Sequence, residues 1–86
     1  MLRHYILRVF SHWPADRDTP PTCNARRAGA FASLASAKRA ALRMREHFGA
    51  DTAMVQWCEG GYTMHRWYRY AGSARWEHEI KVPSYD

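Results

Sequence analysis

Histidine, cysteine and glutamate side chains are the groups in this 86-residue chain whose types and spacing could do chemistry. The histidines are scattered, and none is spaced as a metal-binding pair: His4, His12, His47, His65 and His78. His65 and His78 would approach each other across one predicted hairpin, with Cys58 across the preceding one. A metal site and a set of polar side chains paired across strands both fit this arrangement, and the second is favoured. We therefore predict no metal, no cofactor and no catalytic residue.

A phosphate-cradling glycine loop and a nucleophile elbow are both missing from the sequence. Glu77 and Glu79 share the predicted solvent face with Arg75 and Lys81, which indicates charge pairs across strands rather than catalytic acids. A small ribonuclease nevertheless needs little more than His65, Glu77 and arginines to transfer a proton and stabilise a phosphate. A toxin-type ribonuclease therefore stays as a second alternative function.

Positive charge is the main signal in the composition. Thirteen Lys and Arg residues against eight Asp and Glu residues give a formal net charge of +5, and arginine is far commoner than lysine. Such an excess favours an anionic partner, either nucleic acid or an acidic protein surface. The same arginines also fit a merely solvated surface, so both interpretations are open.

Length and composition predict one folded domain over residues 1–86. A hydrophobic content of 47% and an aromatic content of 14% are too high for a disordered chain. Cys23 and Cys58 do not form a C-x-x-C pair, so we expect reduced thiols and a cytoplasmic location. The charged N-terminus and the lack of a long apolar run predict neither a signal sequence nor a membrane partner.

A helix over residues 33–49 is the clearest structural prediction. Five apolar residues recur at spacings of three and four and form one stripe: Leu34, Ala37, Ala41, Met44 and Phe48. Ser33 is placed to cap the start, and Gly49 is placed to end the helix. Arg39 and Arg43 lie on the face away from the stripe, with Lys38 nearer its edge.

The remaining segments read as strands of an antiparallel sheet. Strands are predicted at residues 4–10, 52–58, 62–70 and 75–82, with a proline-rich excursion over residues 13–24. Residues 25–32 fit a short strand or an extension of the helix, and Gly29 favours the strand. The predicted fold class is α+β: two layers, with a sheet of four to five strands and one helix packed on one face.

Because successive side chains of a strand point to opposite faces, the sequence assigns the side chains of the last two strands to the two faces of the sheet. One face of strand 62–70 carries Tyr62, Met64, Arg66, Tyr68 and Tyr70, and the other carries Thr63, His65, Trp67 and Arg69. Because one helix covers one face, the opposite face is expected to expose aromatic residues with arginines, unless the excursion protects it. In strand 75–82, Trp76, Ile80 and Val82 are expected to be buried.

The order of these segments resembles that of the small phage-encoded anti-CRISPR proteins directed at type I systems, in particular a type I-F group with one helix on an antiparallel sheet. The shared features run from about residue 4 to residue 79: the Tyr5-Ile6-Leu7 strand, the Ser33-Leu34-Ala35-Ser36-Ala37-Lys38-Arg39 helix start, and Arg75-Trp76 after a glycine turn. The chain differs from that group in its longer excursion, its higher arginine content and its longer C-terminal strand.

The resemblance implies a non-enzymatic inhibitor in the bacterial host cytoplasm. It would occupy the backbone or large subunit of a type I RNA-guided surveillance complex and block recognition of target DNA. Lys38, Arg39 and Arg75 match contact positions of the resembling group, and Tyr5 matches a strand tyrosine of that group. Arg43 extends the surface by one helical turn. Arg66 and Tyr68 join the predicted partner-binding set: Lys38, Arg39, Arg43, Arg75, Tyr5, Arg66 and Tyr68. The first alternative is a small basic nucleic-acid-binding module, with arginines on phosphates and aromatic residues on bases.

Overall fold

A computed structural model of the chain describes residues 3–12 and 22–80. Five strands and one helix follow one another as β1 (Arg3–Ser11), β2 (Thr22–Phe31), α1 (Leu34–His47), β3 (Thr52–Glu59), β4 (Tyr62–Arg69) and β5 (Glu77–Ile80). The strands form one antiparallel sheet in the order β2-β1-β3-β4-β5, and the helix packs on one of its faces. The α+β prediction is confirmed. No helix in the described part of the chain is long and apolar enough to cross a membrane.

Strand β1 lies in the interior of the sheet, between β2 and β3. Leu7 and Val9 on its helix-facing side have no exposed surface, and Phe10 is also buried. Leu7 and Val9 pack under the helix and Phe10 is buried in a second cluster on the opposite face, so β1 buries apolar side chains on both faces. This explains the run of β-branched and aromatic residues predicted to be a strand.

Strand β2 confirms the strand interpretation of residues 25–32 and is longer than predicted. It begins at Thr22, so the assignment of residues 22–24 to the excursion is wrong, and residues 13–21 lie outside the described residues. The pairing of β1 with β2 shifts register between Val9 and Phe10. Beyond that irregularity the ladder continues, and Asn24 Nδ2 donates to Ser11 Oγ at 2.9 Å.

Both ends of the helix are fixed by the predicted capping residues. At the start, the Ser36 amide donates to Ser33 Oγ at 3.1 Å, as expected for an N-cap serine. At the end, Gly49 has φ 61°, its amide donates to Glu46 O, and the Ala50 amide donates to Arg45 O. These two bonds form a Schellman motif, which requires a residue with positive φ at the glycine position.

The buried stripe of α1 consists of alanines. Ala37 and Ala41 have no exposed surface and Ala40 is 4% exposed, whereas Leu34 and Met44 pack only at the margin of the core. The predicted place of Phe48 on this stripe is wrong: its side chain is 48% exposed. Phe48 is the C-cap with φ −93° and ψ 3°, so it has left the helical path that would turn its side chain inward.

The helix covers only part of its own face of the sheet. Its backbone lies over β1, β3 and part of β2, and does not reach β4 or β5. A helix is about 10 Å across and strands are about 4.8 Å apart, so one helix covers roughly two to three strands. The β4–β5 part of the helix-side face is therefore left without a covering element among the described residues.

The face opposite the helix is less exposed than predicted. Phe10, Met54 and Tyr68 form a second buried cluster there, and Tyr68 is only 6% exposed. A register shift at Trp57/Cys58 also moves Thr63 onto this face, where its Oγ1 accepts a hydrogen bond from Gln56 Nε2 at 3.3 Å. The prediction that this face exposes its aromatic residues is therefore wrong for Tyr68, and the assignment of Thr63 to the His65 face is also wrong.

Strand β5 is the edge strand beside β4 and is described as far as Ile80. Its four residues are all exposed, including Ile80 at 73%, so the predicted burial of Ile80 is wrong, and Val82 lies outside the described residues. Ile80 pairs with His65, beyond the reach of the helix. The predicted charge pairing across strands is confirmed for Glu79, whose Oε1 lies 3.2 Å from Arg66 Nη2.

Replacing Ala41 with Asp should destabilise the fold strongly. The new carboxylate would be buried against the sheet without a partner, and we expect the free energy of unfolding to fall by about 3 kcal/mol. The matched control is Ala35→Asp, at an exposed position in the first turn of the same helix, where a negative charge is favourable. Chemical denaturation measures both variants, and equal losses would contradict this assignment of the helix faces.

Candidate functional site

An open groove lies on the helix-side face, beside the start of the helix, and is lined by residues of β1, β3, β4 and β5. We call it the aromatic groove. Its volume is about 430 Å³, and it is lined by Arg3, Tyr5, Leu34, Trp57, His65, Trp67 and His78. Pockets of about 300–1,000 Å³ with apolar walls and a few polar groups are typical of ligand sites.

The strand register brings these side chains together. Trp67 pairs with Val55 on one side and with His78 on the other, so the three lie in one row across the sheet. Trp57 pairs with His65 and with Tyr5 in the neighbouring row. Because directly paired residues project to the same face, the two rows place their aromatic rings side by side.

Three rings in the aromatic groove are nearly parallel. The ring centroids of Trp67 and His78 are 4.9 Å apart with planes inclined by 8°, and those of His65 and His78 are 5.2 Å apart with planes inclined by 24°. His65 also stacks with Trp67 at 5.5 Å. Parallel rings at these separations stabilise one another and hold each side chain in one orientation.

The two imidazoles are also joined by a hydrogen bond. His65 Nδ1 and His78 Nε2 are 3.0 Å apart, which confirms the predicted approach of these residues. One nitrogen must donate and the other must accept, so the two rings cannot both be cationic while this bond persists. The unbonded ring nitrogens leave one polar position on each imidazole for a ligand.

Tyr5 forms the floor of the aromatic groove. It is only 4% exposed, and its ring lies 5.0 Å from Trp57 and 6.5 Å from Trp67 between centroids. Trp57 is itself fixed from the side by a hydrogen bond from Nε1 to Glu59 Oε1 at 3.1 Å. The floor and walls are therefore largely preformed.

Positive charge lies at the rim. Lys38 Nζ is 5.3 Å from the ring centroid of Trp76 and 5.9 Å from that of Trp67, so the ammonium group caps the aromatic surface by cation–π contacts. Arg3 contributes a second cation to the lining. The helix positions Lys38 one residue after buried Ala37, at the margin that faces β4.

The predicted partner-binding residues do not form one surface. Lys38 and Tyr5 meet at the aromatic groove, but Tyr5 is a buried floor residue rather than an exposed contact. Arg66 and Tyr68 pair with Gln56 and Met54 on the opposite face, where Arg66 binds Glu79 and Tyr68 is buried. Three arginines are exposed on the helix and in the turn before β5: Arg39, Arg43 and Arg75.

Sequence reasoning missed most of the lining of the aromatic groove. Trp57, Trp67 and Arg3 were not assigned to the site, because the exposed aromatic residues were expected on the face away from the helix. The sequence does carry an indication of it. A single helix is too narrow to cover one whole face of a five-stranded sheet, so part of the helix-side face must be exposed.

The described residues do not come together as the metal site or the ribonuclease pair considered from the sequence. No group of three or more His, Cys, Asp or Glu side chains among the described residues could hold a metal ion. Cys58 instead lies near Thr63 on the opposite face, with Sγ and Oγ1 3.7 Å apart. Glu77 pairs with Tyr68 on that same face, so His65 and Glu77 do not face each other as a ribonuclease pair would require.

Comparisons of the chain with protein-family models, with curated proteins and with solved structures found no match in any of the three.

Truncating His78 to Ala should loosen β5 without unfolding the domain. The four-residue strand would lose its stack on Trp67 and its bond to His65, so we expect amide exchange in β5 to become about tenfold faster. The control is Glu77→Ala, an exposed residue of the same strand on the other face. Hydrogen-exchange mass spectrometry or NMR measures the effect, and equal acceleration in both variants would show that the ring stack does not hold β5.

Proposed function

We propose that the protein is a non-enzymatic module that binds single-stranded nucleic acid by stacking unpaired bases in the aromatic groove. The observation that carries this proposal is the stack of Trp67, His78 and His65 in an open groove with a cationic rim. Aromatic platforms with nearby basic residues are the usual means of binding unpaired bases.

Flat, uncharged aromatic groups fit the aromatic groove better than the main alternatives. Indole and imidazole rings offer stacking surface, and the imidazole nitrogens offer hydrogen bonds to the polar edge of a base. Aromatic cages also bind quaternary ammonium groups, but Lys38 and Arg3 would repel a cation here. The same two side chains favour a ligand that carries phosphates.

The charge of the whole chain supports the same ligand class. A net charge of +5 attracts nucleic acid from a distance and gives binding that weakens as salt is raised. In a duplex the bases are already stacked and their faces are not accessible. Stacking in the groove therefore requires a single strand, whereas the charge alone would bind either form.

Single strands should bind more tightly than duplex of the same sequence, and Trp67→Leu should remove most of the difference. Leucine keeps apolar contact with the core but removes the stacking surface, so we expect about a tenfold loss of affinity. The measurement is fluorescence anisotropy with labelled oligouridine and oligothymidine over a series of salt concentrations.

The matched control is Phe48→Leu, which changes the same kind of side chain at an exposed position at the end of the helix. This variant should bind like the wild type. Equal affinity for single strands and duplex, or an unchanged affinity of Trp67→Leu, would mean that charge alone binds the nucleic acid.

A second candidate function is inhibition of a type I RNA-guided surveillance complex by occupancy. The observation that favours it is the exposed helix face, where Arg39 and Arg43 lie four residues apart. Arg43 has no ion pair with a described residue, and Arg39 bonds only Ser36 Oγ at 3.3 Å. Exposed arginines of this kind are common anchors of protein interfaces, and Lys38 borders the same face.

Reversing both charges with Arg39→Glu and Arg43→Glu should abolish inhibition and leave the domain folded. The readout is binding of target DNA by a purified type I complex in a gel shift, with and without the protein. Trp67→Leu serves as the comparison, because it alters the aromatic groove and leaves the helix face intact. If excess wild-type protein changes neither binding nor cleavage by any type I complex, the inhibitor function is excluded.

A further inference from the structure

Strand β2 is a long edge strand. It spans ten residues, Thr22–Phe31, and among the described residues it pairs along one side, with β1. Most of its side chains are exposed, and the helix lies mainly over β1 and β3. The outer side of such a strand presents a row of unpaired backbone N–H and C=O groups, which can pair with another extended chain.

Two devices that often protect an edge strand, proline and a bulge, are missing from β2 between Ala25 and Phe31. It contains no proline, and its pairing with β1 is regular from Ala25 to Phe31. The other edge strand, β5, has four residues in the described part of the chain. The protection that β2 does have is electrostatic, through the adjacent residues Arg26 and Arg27.

The two arginines place positive charge on both faces of the edge. Arg27 pairs with core residue Leu7 and therefore lies on the helix side, with its guanidinium 5.6 Å from the Phe31 ring centroid. Arg26 projects to the opposite face, where it pairs directly with Arg8. Like charges at directly opposed positions are destabilising. Neither Arg8 nor Arg26 has an ion pair with a described residue.

These charges disfavour a second copy of the chain at this edge. An antiparallel pairing of two β2 strands centred on Arg26 and Arg27 would bring four arginines together, in addition to Arg8 on each side. An acidic strand would convert this repulsion into attraction on both faces. Charge complementarity therefore selects an acidic occupant.

We propose that the β2 edge binds an extended acidic segment of a partner protein as a sixth strand of the sheet. Main-chain hydrogen bonds would supply affinity, as in other cases of strand addition. Because Arg26 and Arg27 face opposite sides, the fitting segment carries two consecutive acidic residues flanked by β-branched residues. No residue of β2 lines the aromatic groove, so the groove stays accessible when this edge is occupied.

The probe is a synthetic peptide with the sequence Thr-Val-Val-Glu-Glu-Val-Thr. Calorimetry at physiological salt gives its affinity, and NMR amide shifts with cross-strand NOEs locate it. One control peptide has Lys in place of both Glu residues, and the other has the acidic sequence with alternate backbone amides N-methylated. We expect the acidic peptide to give NOEs to β2 and both control peptides to bind at least about tenfold more weakly.

The protein variant is the double substitution Arg26→Glu and Arg27→Glu, with Arg39→Glu and Arg43→Glu on the helix as the matched control. The β2 variant should lose about tenfold in affinity for the acidic peptide and gain affinity for the Lys peptide, a reversal that unfolding cannot produce. Three results would each overturn the proposal. The N-methylated peptide could bind as tightly as the acidic peptide, or the peptide-induced amide shifts could be confined to the helix or the aromatic groove. The third is the observation of NOEs between the β2 strands of two copies without peptide.

Discussion

The close packing of one alanine-faced helix on a sheet wider than itself is the constraint on which the rest of this structure depends. Ala37, Ala40 and Ala41 let the helix backbone approach β1 and β3 closely. The helix cannot then also cover β4 and β5, because its width matches only two to three strands. The aromatic groove lies on this face beside the start of the helix, where residues of β1 and β3 join those of the uncovered strands β4 and β5.

Because of this packing, some side chains both stabilise the core and line the aromatic groove. Alanines bury little area, and large rings at the helix margin complete the core: Trp57, Trp67 and Trp76 are half-buried against it. Trp57 and Trp67 also line the aromatic groove. A change that removes such a ring therefore affects both properties, and only a substitution that keeps apolar volume separates them. Lys38 also lies at both the margin of the core and the rim of the aromatic groove, since its ammonium group contacts the rings of Trp67 and Trp76.

The features that were predicted correctly are those with local causes. The Ser33 cap and the Gly49 ending depend on backbone groups a few residues away, so the sequence around them is sufficient. The errors concern the face of the helix or sheet on which a side chain lies. Burial of Phe48 depended on one further residue of helical backbone, and the face of Thr63 depended on a register shift in the β3–β4 pair. Neither is encoded by hydrophobic periodicity.

The candidate site was predictable in its parts but not in its position. His65 and His78 were expected to meet, and Lys38 was expected at the edge of the apolar stripe, yet only the sheet register puts them in one groove. The placement of charge also bears on the two interpretations of the basic composition. A surface selected only for solvation has no need to oppose Arg8 and Arg26 across neighbouring strands, since that pairing costs stability. An anionic partner at the β2 edge, as proposed above, would remove that cost.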